Sequence, residues 1–261
     1  MSLDRISQKT RDTIKFAGEL IRNSKNTVLL TGAGISTPSG IPDFRSEGTG
    51  LWSVNEPLEV ASLNTFRHSP EKFFSWIRPL AKLIVTAEPN SAHMAVTELE
   101  TAGYINTIVT QNIDDLHQKS GSKNVVETHG SLSSMTCTKC FHNLSSKPFI
   151  NPFINKGELP YCPKCSSILK PDVILFGEQM PYGPWEDALS AVSSCELMIV
   201  AGSSLEVLPV ASLPLKALDK GAHLIIVNQT PTYLGVRADI VFMDDVIDIL
   251  PQISRQILDY A

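Results

Sequence analysis

The stretch Thr27-Val28-Leu29-Leu30-Thr31-Gly32-Ala33-Gly34 is a short apolar run broken by two glycines, and it reads as a buried strand entering a tight turn. Just upstream, Ile14, Ala17, Leu20 and Ile21 recur at three- and four-residue spacing between Ser7 and Arg22, which predicts an amphipathic helix. Downstream the alternation repeats. A helix from about Ser91 ends at Gly103, Tyr104 to Thr110 has strand composition, and Val125-Val126 suggests a further short strand. Val173 to Phe176, a helix from Trp185 to Cys195, and Leu197 to Ala201 then follow in strand-helix-strand order. His223 to Asn228, Ile240 to Met243 and a last helix from Val246 to Tyr260 close the series. Apolar strands alternating with helices imply an α/β fold, a doubly wound parallel sheet covered on both faces. Two stretches stand outside this rhythm. Ile35 to Pro57 is rich in Gly and Pro with no period, a loop length that usually serves function. Ser69-Pro70-Glu71 reads as an N-cap with proline at the first helical position, and Pro79 should kink or stop the helix it opens.

At 261 residues the chain exceeds one average domain and falls short of two, so one large domain with a smaller inserted module is expected. Hydrophobic residues at 43% supply a sizeable core, and a net charge of −5 argues against direct nucleic-acid binding, which needs a basic surface. No apolar run approaches the ~20 residues that span a bilayer, and Met1 to Arg11 lacks the apolar core of a signal peptide. A soluble, cytoplasmic protein without a membrane partner is the expectation.

Five cysteines are too few for a disulfide scaffold, and four of them form two identical pairs, Cys137/Cys140 and Cys162/Cys165, separated by 21 positions. Two such knuckles supply the four sulfurs of a tetrahedral zinc site with no position open to substrate. That makes a structural zinc module the better reading than a redox pair. Cys195 stands outside the pattern.

Gly32-x-Gly34 after a strand resembles the start of a dinucleotide fingerprint, in which absent side chains let backbone N–H groups approach a pyrophosphate. The match is incomplete, because Thr37 stands where a third glycine would fall, and taken alone the pair reads better as a plain tight turn. Asp43, Phe44 and Arg45 follow closely, as a cofactor loop or as a surface ion pair. Gln111, Asn112, Ile113 and Asp114 begin at the end of a predicted strand, where ligands sit in open parallel sheets; capping of a helix by Asn112 or Asp114 is the alternative. His129-Gly130 ends another strand and suits proton transfer near neutral pH. His93 and His117 fall on helices and receive no role.

The ordered set Gly32-Ala33-Gly34-Ile35-Ser36, Gly40 to Arg45, Thr110 to Asp114, His129-Gly130, the two cysteine knuckles, Phe176-Gly177-Glu178, Gly202-Ser203-Ser204 and Val227-Asn228 resembles the sirtuins, NAD-dependent protein-lysine deacylases. The resemblance implies a single catalytic domain over residues 1–261. Its Rossmann-type part would comprise about 1–35, 88–131 and 171–261, with a zinc module at about 132–170 and a helical and cofactor-loop insertion at about 36–87. It implies NAD as co-substrate and one structural zinc held by Cys137, Cys140, Cys162 and Cys165. Gly32, Ala33, Gly34, Thr37, Asp43, Phe44 and Arg45 would line the phosphate and ribose side. Gln111, Asn112, Ile113 and Asp114 would hold the nicotinamide end, and Gly202, Ser203, Ser204, Asn228, Gln229 and Val246 the adenosine end. His129 would be the general base, with Asn112 assisting.

Acyl-lysine proteins or peptides would add as a strand between Val173, Phe176, Gly177 and Glu178 on one side and Leu205, Glu206 and Val207 on the other. The products would be free lysine, nicotinamide and O-acyl-ADP-ribose. Mono-ADP-ribosyl transfer shares the first chemical step and stays open, whereas a non-catalytic zinc-ribbon binding module would not need His129 or Asn112. Sirtuins that prefer succinyl or malonyl lysine carry a Tyr-x-x-Arg pair. Alignment from Glu88-Pro89-Asn90 puts Ile77 and Leu80 at those positions, unless Arg78 reaches the pocket instead, so acetyl and longer apolar acyl groups are expected.

Overall fold

The computed structural model describes residues 8–43 and 56–259. The TVLLT run forms β1 (Thr27–Thr31), with all five residues buried. Around it lie β2 (Thr107–Thr110), β3 (Val125–Glu127), β7 (Leu197–Ala201), β8 (His223–Val227) and β9 (Ile240–Phe242), in the order β3-β2-β1-β7-β8-β9. Every neighbouring pair in this sheet is parallel. One face is covered by α1 (Gln8–Asn23), α5 (Ser91–Thr101) and α10 (Val246–Leu258), which bury Ile21, Val96, Leu99 and Ile253 against Leu29, Ile108 and Ile225. The other is covered by α8 (Tyr182–Ser194) and α9 (Leu213–Asp219), with Ala188, Val192 and Leu213 packed on Val28, Leu30 and Val200. Strand order reverses between β1 and β7. That switch point opens a crevice at the carboxyl ends of the two strands, where Gly32 and Gly202 begin the following turns.

A second layer hangs on this frame. α2 (Pro57–Val60), α3 (Leu63–His68) and α4 (Pro70–Thr86) pack Phe66, Phe73 and Phe74 edge to face, with centroids 5.3 to 5.9 Å apart. Phe74 meets Phe153 of α7 (Lys147–Lys156) at 5.4 Å. The short α6 (Leu116–Lys119) adds Leu116 to the same cluster. Three antiparallel strands stand in the order β5-β4-β6, namely β4 (Gly130–Cys137), β5 (Asn143–Ser145) and β6 (Leu169–Val173), with Cys137 ending β4 and the other three paired cysteines in the connections.

Several expectations need correction. The predicted strand at Val173 to Phe176 ends instead at Val173 and belongs to the small antiparallel sheet, because its partner is β4 and not a parallel neighbour. Pro79 neither stops nor ends its helix, which continues to Thr86. The backbone bond lost at Pro79 is outweighed by burial of Phe73, Phe74, Ile77, Leu80 and Ile84 on one face. Ser69 does occupy the N-cap position with Pro70 behind it, but its side chain makes no capping bond. β4 and β5 are absent from the sequence pattern, since Gly130–Cys137 is mostly Ser, Thr and Gly and its burial comes from strand pairing.

Candidate active site and metal centre

The two glycines of the first turn are demanded by the strand beside them. A Cβ on Gly34 would lie 2.8 Å from the Gly202 Cα, and one on Gly202, at φ +63°, would lie 2.3 Å from the Ile35 nitrogen. Gly34 N–H donates to Gly202 O at 2.8 Å. This glycine therefore seats β1's turn on β7's turn, and its N–H is already committed instead of facing a pyrophosphate. The chain then makes two 3-10 turns, Ala33–Ile35 and Thr37–Ser39, which bring Ser36 back beneath the strand ends.

There a buried polar knot forms. Ser36 Oγ donates to Asp114 Oδ2 at 2.7 Å, and Asn112 Nδ2 donates to Gly32 O and Ser36 Oγ, both at 3.1 Å. Asp114 Oδ1 accepts the Leu116 N–H at 3.0 Å, so it also satisfies the first N–H of α6. Burial pushes the Asp114 carboxyl up, while the Ser36 and Leu116 bonds pull it back. Gln111 Nε2 donates to Ser203 Oγ at 2.9 Å, joining the two halves of the crevice.

His129 sits where β3 turns into β4. Gly130 is obligatory behind it, since at φ +75° its Cβ would fall 1.9 Å from Asp172 O. His129 Nδ1 lies 3.1 Å from Gln111 O. A carbonyl can only accept, so the proton is on Nδ1 and the lone pair is on Nε2. Burial lowers the His129 pKa, with the Gln111 bond opposing it.

These groups line one cavity of about 700 Å³ that contains Gly32, Ala33, Gly34, Asp43, Gln111, Asn112, Ile113, Asp114 and His129. Gly202, Ser203, Ser204 and Asn228 line its other end, and Val173, Phe176, Gly177, Glu178, Glu206 and Val207 its mouth. Thr37, Leu205, Gln229 and Val246 lie outside that lining. Gln229 Nε2 is bonded to Asp245 Oδ2 at 2.7 Å, and Leu205 and Val246 are packed into the two sheet-face cores. Phe44 and Arg45 fall outside the described residues. In the peptide segment, Phe176 N–H and C=O already pair with Ala61 O and Leu63 N–H, and Leu175 N–H donates to Glu178 Oε2. An added strand thus finds fewer open main-chain groups there than the segment's length suggests.

Ser36, Phe73, Trp76, Leu208 and Thr230 also line the cavity and were not among the expected site residues. Phe73, Trp76, Ile77, Leu80 and Ile84 recur at helical spacing, a signal the sequence does carry. Converging amides, hydroxyls and a carboxylate around a cleft of this size fit a dinucleotide.

The cysteine knuckles converge as well. The four Sγ atoms lie within 4.8 Å of one another, with Cys137 to Cys165 at 3.4 Å and Cys140 to Cys162 at 3.6 Å. A tetrahedron with Zn–S bonds of about 2.3 Å has sulfurs roughly 3.8 Å apart, so the set fits one zinc ion. The Cys140 and Lys139 N–H groups both reach Cys137 Sγ at 3.5 Å, donors that suit a ligating sulfur.

A Rossmann-type sheet with its crevice at the switch point and a four-cysteine module beside it defines a dinucleotide-using protein stabilised by a metal knuckle. Residues 32–209 match the Sir2 family, and the chain belongs to that family. It is 42% identical to NAD-dependent protein deacylase 2 of Archaeoglobus fulgidus over 94% of this chain and 96% of that one. It is 44% identical to NAD-dependent protein deacetylase 2 of Caldanaerobacter subterraneus over 90% and 92%. Among solved structures, one described as "Sir2-p53 peptide-NAD+" superposes with a TM-score of 0.82 at 36% identity, covering 95% of this chain and 98% of that one. Another, from work on the mechanism and regulation of Sir2 enzymes, reaches 0.90 at 40%, covering 96% and 100%.

Proposed function

We propose that the protein removes acetyl and longer apolar acyl groups from lysine side chains of proteins, consuming NAD and releasing lysine, nicotinamide and O-acyl-ADP-ribose. The observation that carries this reading is the single cavity that joins the His129 Nε2 lone pair and the Asn112–Asp114 knot to an apolar floor on α4. Among the relatives, both "deacylase" and "deacetylase" occur in the names, and one related structure is described with NAD+ and a peptide.

Bound NAD supplies an electrophilic ribose carbon whose leaving group is nicotinamide. The chain's residues must position, shield and move a proton. Half-buried Gln111 and Ile113, with Asp114, hold the nicotinamide end and Asn112 the ribose, Asn112 and Asp114 from the buried knot. Ser203, Ser204 and Asn228 hold the adenosine half. Phe44 and Arg45 belong to the same reading through the family resemblance. His129 Nε2 accepts the proton of a ribose hydroxyl, and its Nδ1–H, fixed on Gln111 O, keeps that nitrogen basic and aimed. Because burial keeps the ring neutral, the base is ready at neutral pH.

The acyl chain would lie against Phe73, Ile77, Leu80 and Ile84. Arg78 does not reach it. Its Nε and Nη2 donate to Ile154 O at 2.9 and 2.7 Å, toward α7. Lys72 and Lys82, the other cations of α4, are exposed and outside the cavity lining, so no α4 cation lines the pocket to meet an acidic acyl group. The zinc would be structural, tying β4 to the loop before β6, and the division at about 132–170 follows from that role. A cytoplasmic site of action fits the unpaired cysteines. Among the described residues no helix is long and apolar enough to cross a membrane.

The test is mass spectrometry of a panel of acyl-lysine peptides with NAD. O-acyl-ADP-ribose and free lysine support the proposal. ADP-ribosylated protein formed without acyl-peptide turnover would replace it with mono-ADP-ribosyl transfer.

A further inference from the structure

Two histidines stand apart from the chemistry. His93 on α5 and His117 on α6 are 0% and 1% exposed, and their rings meet edge to face with centroids 5.0 Å apart. One nitrogen of each is committed, and the commitments fix both tautomers. His93 Nδ1 accepts the Asn90 N–H at 3.4 Å, so its proton is on Nε2. His117 Nε2 lies 3.0 Å from Thr31 Oγ1, whose own proton goes to Thr110 Oγ1 at 2.8 Å. Thr31 must therefore accept, His117 Nε2 must donate, and its lone pair falls on Nδ1. Burial keeps both rings neutral, lowering His93 to about 4 and His117 to about 3, the latter with help from His93.

The two remaining nitrogens are a donor, His93 Nε2–H, and an acceptor, His117 Nδ1. Both are buried without a partner among the described residues. They are complementary, and one water bridging them relieves two unsatisfied groups together.

One end of the resulting chain, Asn112, lines the proposed NAD site, and the other, Asn90, holds the turns on either side of Ser36, which also lines it. Asn90 Nδ2 donates to Ile35 O at 2.8 Å and Ser39 Oγ at 3.0 Å, gripping the turns that carry Ser36. At the other end Thr110 Oγ1 accepts the Asn112 N–H at 3.1 Å. We propose that His93 and His117 are positioning residues, joined in one buried hydrogen-bonded chain, Asn90–His93–His117–Thr31–Thr110–Asn112, that holds the Ser36 turn and the Asn112 loop in mutual register for the reaction. This rests on the deacylase reading of the site.

The first arm of the test needs no activity. 15N–1H NMR of histidine-labelled wild-type protein should show both rings as Nε2–H tautomers, with His93→Asn and His117→Gln used for assignment. A Nδ1–H tautomer at either ring overturns the proposal. The second arm uses Thr31→Val, which cuts the chain at nearly constant volume, and His117→Leu against His117→Gln, which keeps a donor toward Thr31. Thr31→Val should fold, hold NAD with KM within about twofold of wild type, and lose about tenfold in kcat, the scale of one mis-set hydrogen bond. His117→Gln should recover part of what His117→Leu loses. Wild-type kcat in folded Thr31→Val or His117→Leu overturns the proposal, and where a variant does not fold, the wild-type tautomers decide alone. A wild-type protein that turns over no acyl-peptide sinks the deacylase reading instead, while the NMR arm still judges the chain.

Discussion

Replacing the acetyl group of a peptide substrate by succinyl puts a carboxylate against α4. Ile77 and Leu80, 2% and 4% exposed, form the wall there, and Arg78 is held away by its two bonds to Ile154 O. A carboxylate buried with no partner costs several kcal/mol. The cavity is open at its mouth, so water follows the group part of the way, and we take ~2–3 kcal/mol as the residual cost. At 1.4 kcal/mol per decade this is about 30- to 150-fold in kcat/KM. The assay compares kcat/KM on one peptide carrying acetyl, hexanoyl or succinyl lysine. Acetyl and hexanoyl should be comparable and succinyl lower by that factor, and Ile77→Tyr with Leu80→Arg should narrow the gap. Succinyl turnover equal to acetyl in the wild-type protein would refute the reasoning about the wall.

Four further outcomes are expected. Purified protein should contain close to one equivalent of zinc by elemental analysis; Cys140→Ser should lose it and destabilise the small sheet, whereas Cys195→Ser, buried far from the knuckles in sequence, should keep it. His129→Ala should bind NAD, measured by calorimetry, and lose ~10²–10⁴-fold in turnover. In the wild-type protein the acidic limb of kcat/KM should fall below pH 6.5, the ordinary histidine value, because burial lowers the His129 pKa and activity disappears only as the pH drops through that lowered value. Gly34→Ala should lower Tm by overpacking against the Gly202 backbone, at a cost of about 1–3 kcal/mol, and a variant as stable as wild type would contradict the 2.8 Å approach.

What the sequence determined by itself is whatever rests on local pattern. The unalternating apolar runs within β1, β7 and β8 declare a parallel sheet because a strand buried on both faces has no polar side to show. Two Cys-x-x-Cys pairs declare a metal site because the ligand spacing is local within each knuckle. The stripe of Ile14, Ala17 and Ile21 marks α1 for the same reason. Tertiary structure alone decided the rest. The glycine pair at Gly32 and Gly34 looked like an approach to phosphate, yet its closest constraint is Gly202, 168 residues beyond Gly34. Pro79 reads as a kink or a stop, and the buried apolar face of α4 carries the helix past it to Thr86. Ser36, Asn112 and Asp114 each have several local fates, and only the parallel pairing of β1 with β2 brings them into one buried knot. Local propensity costs fractions of a kcal/mol per residue, while burial and satisfied buried polar groups are worth more, so contacts remote in sequence prevail wherever the two conflict.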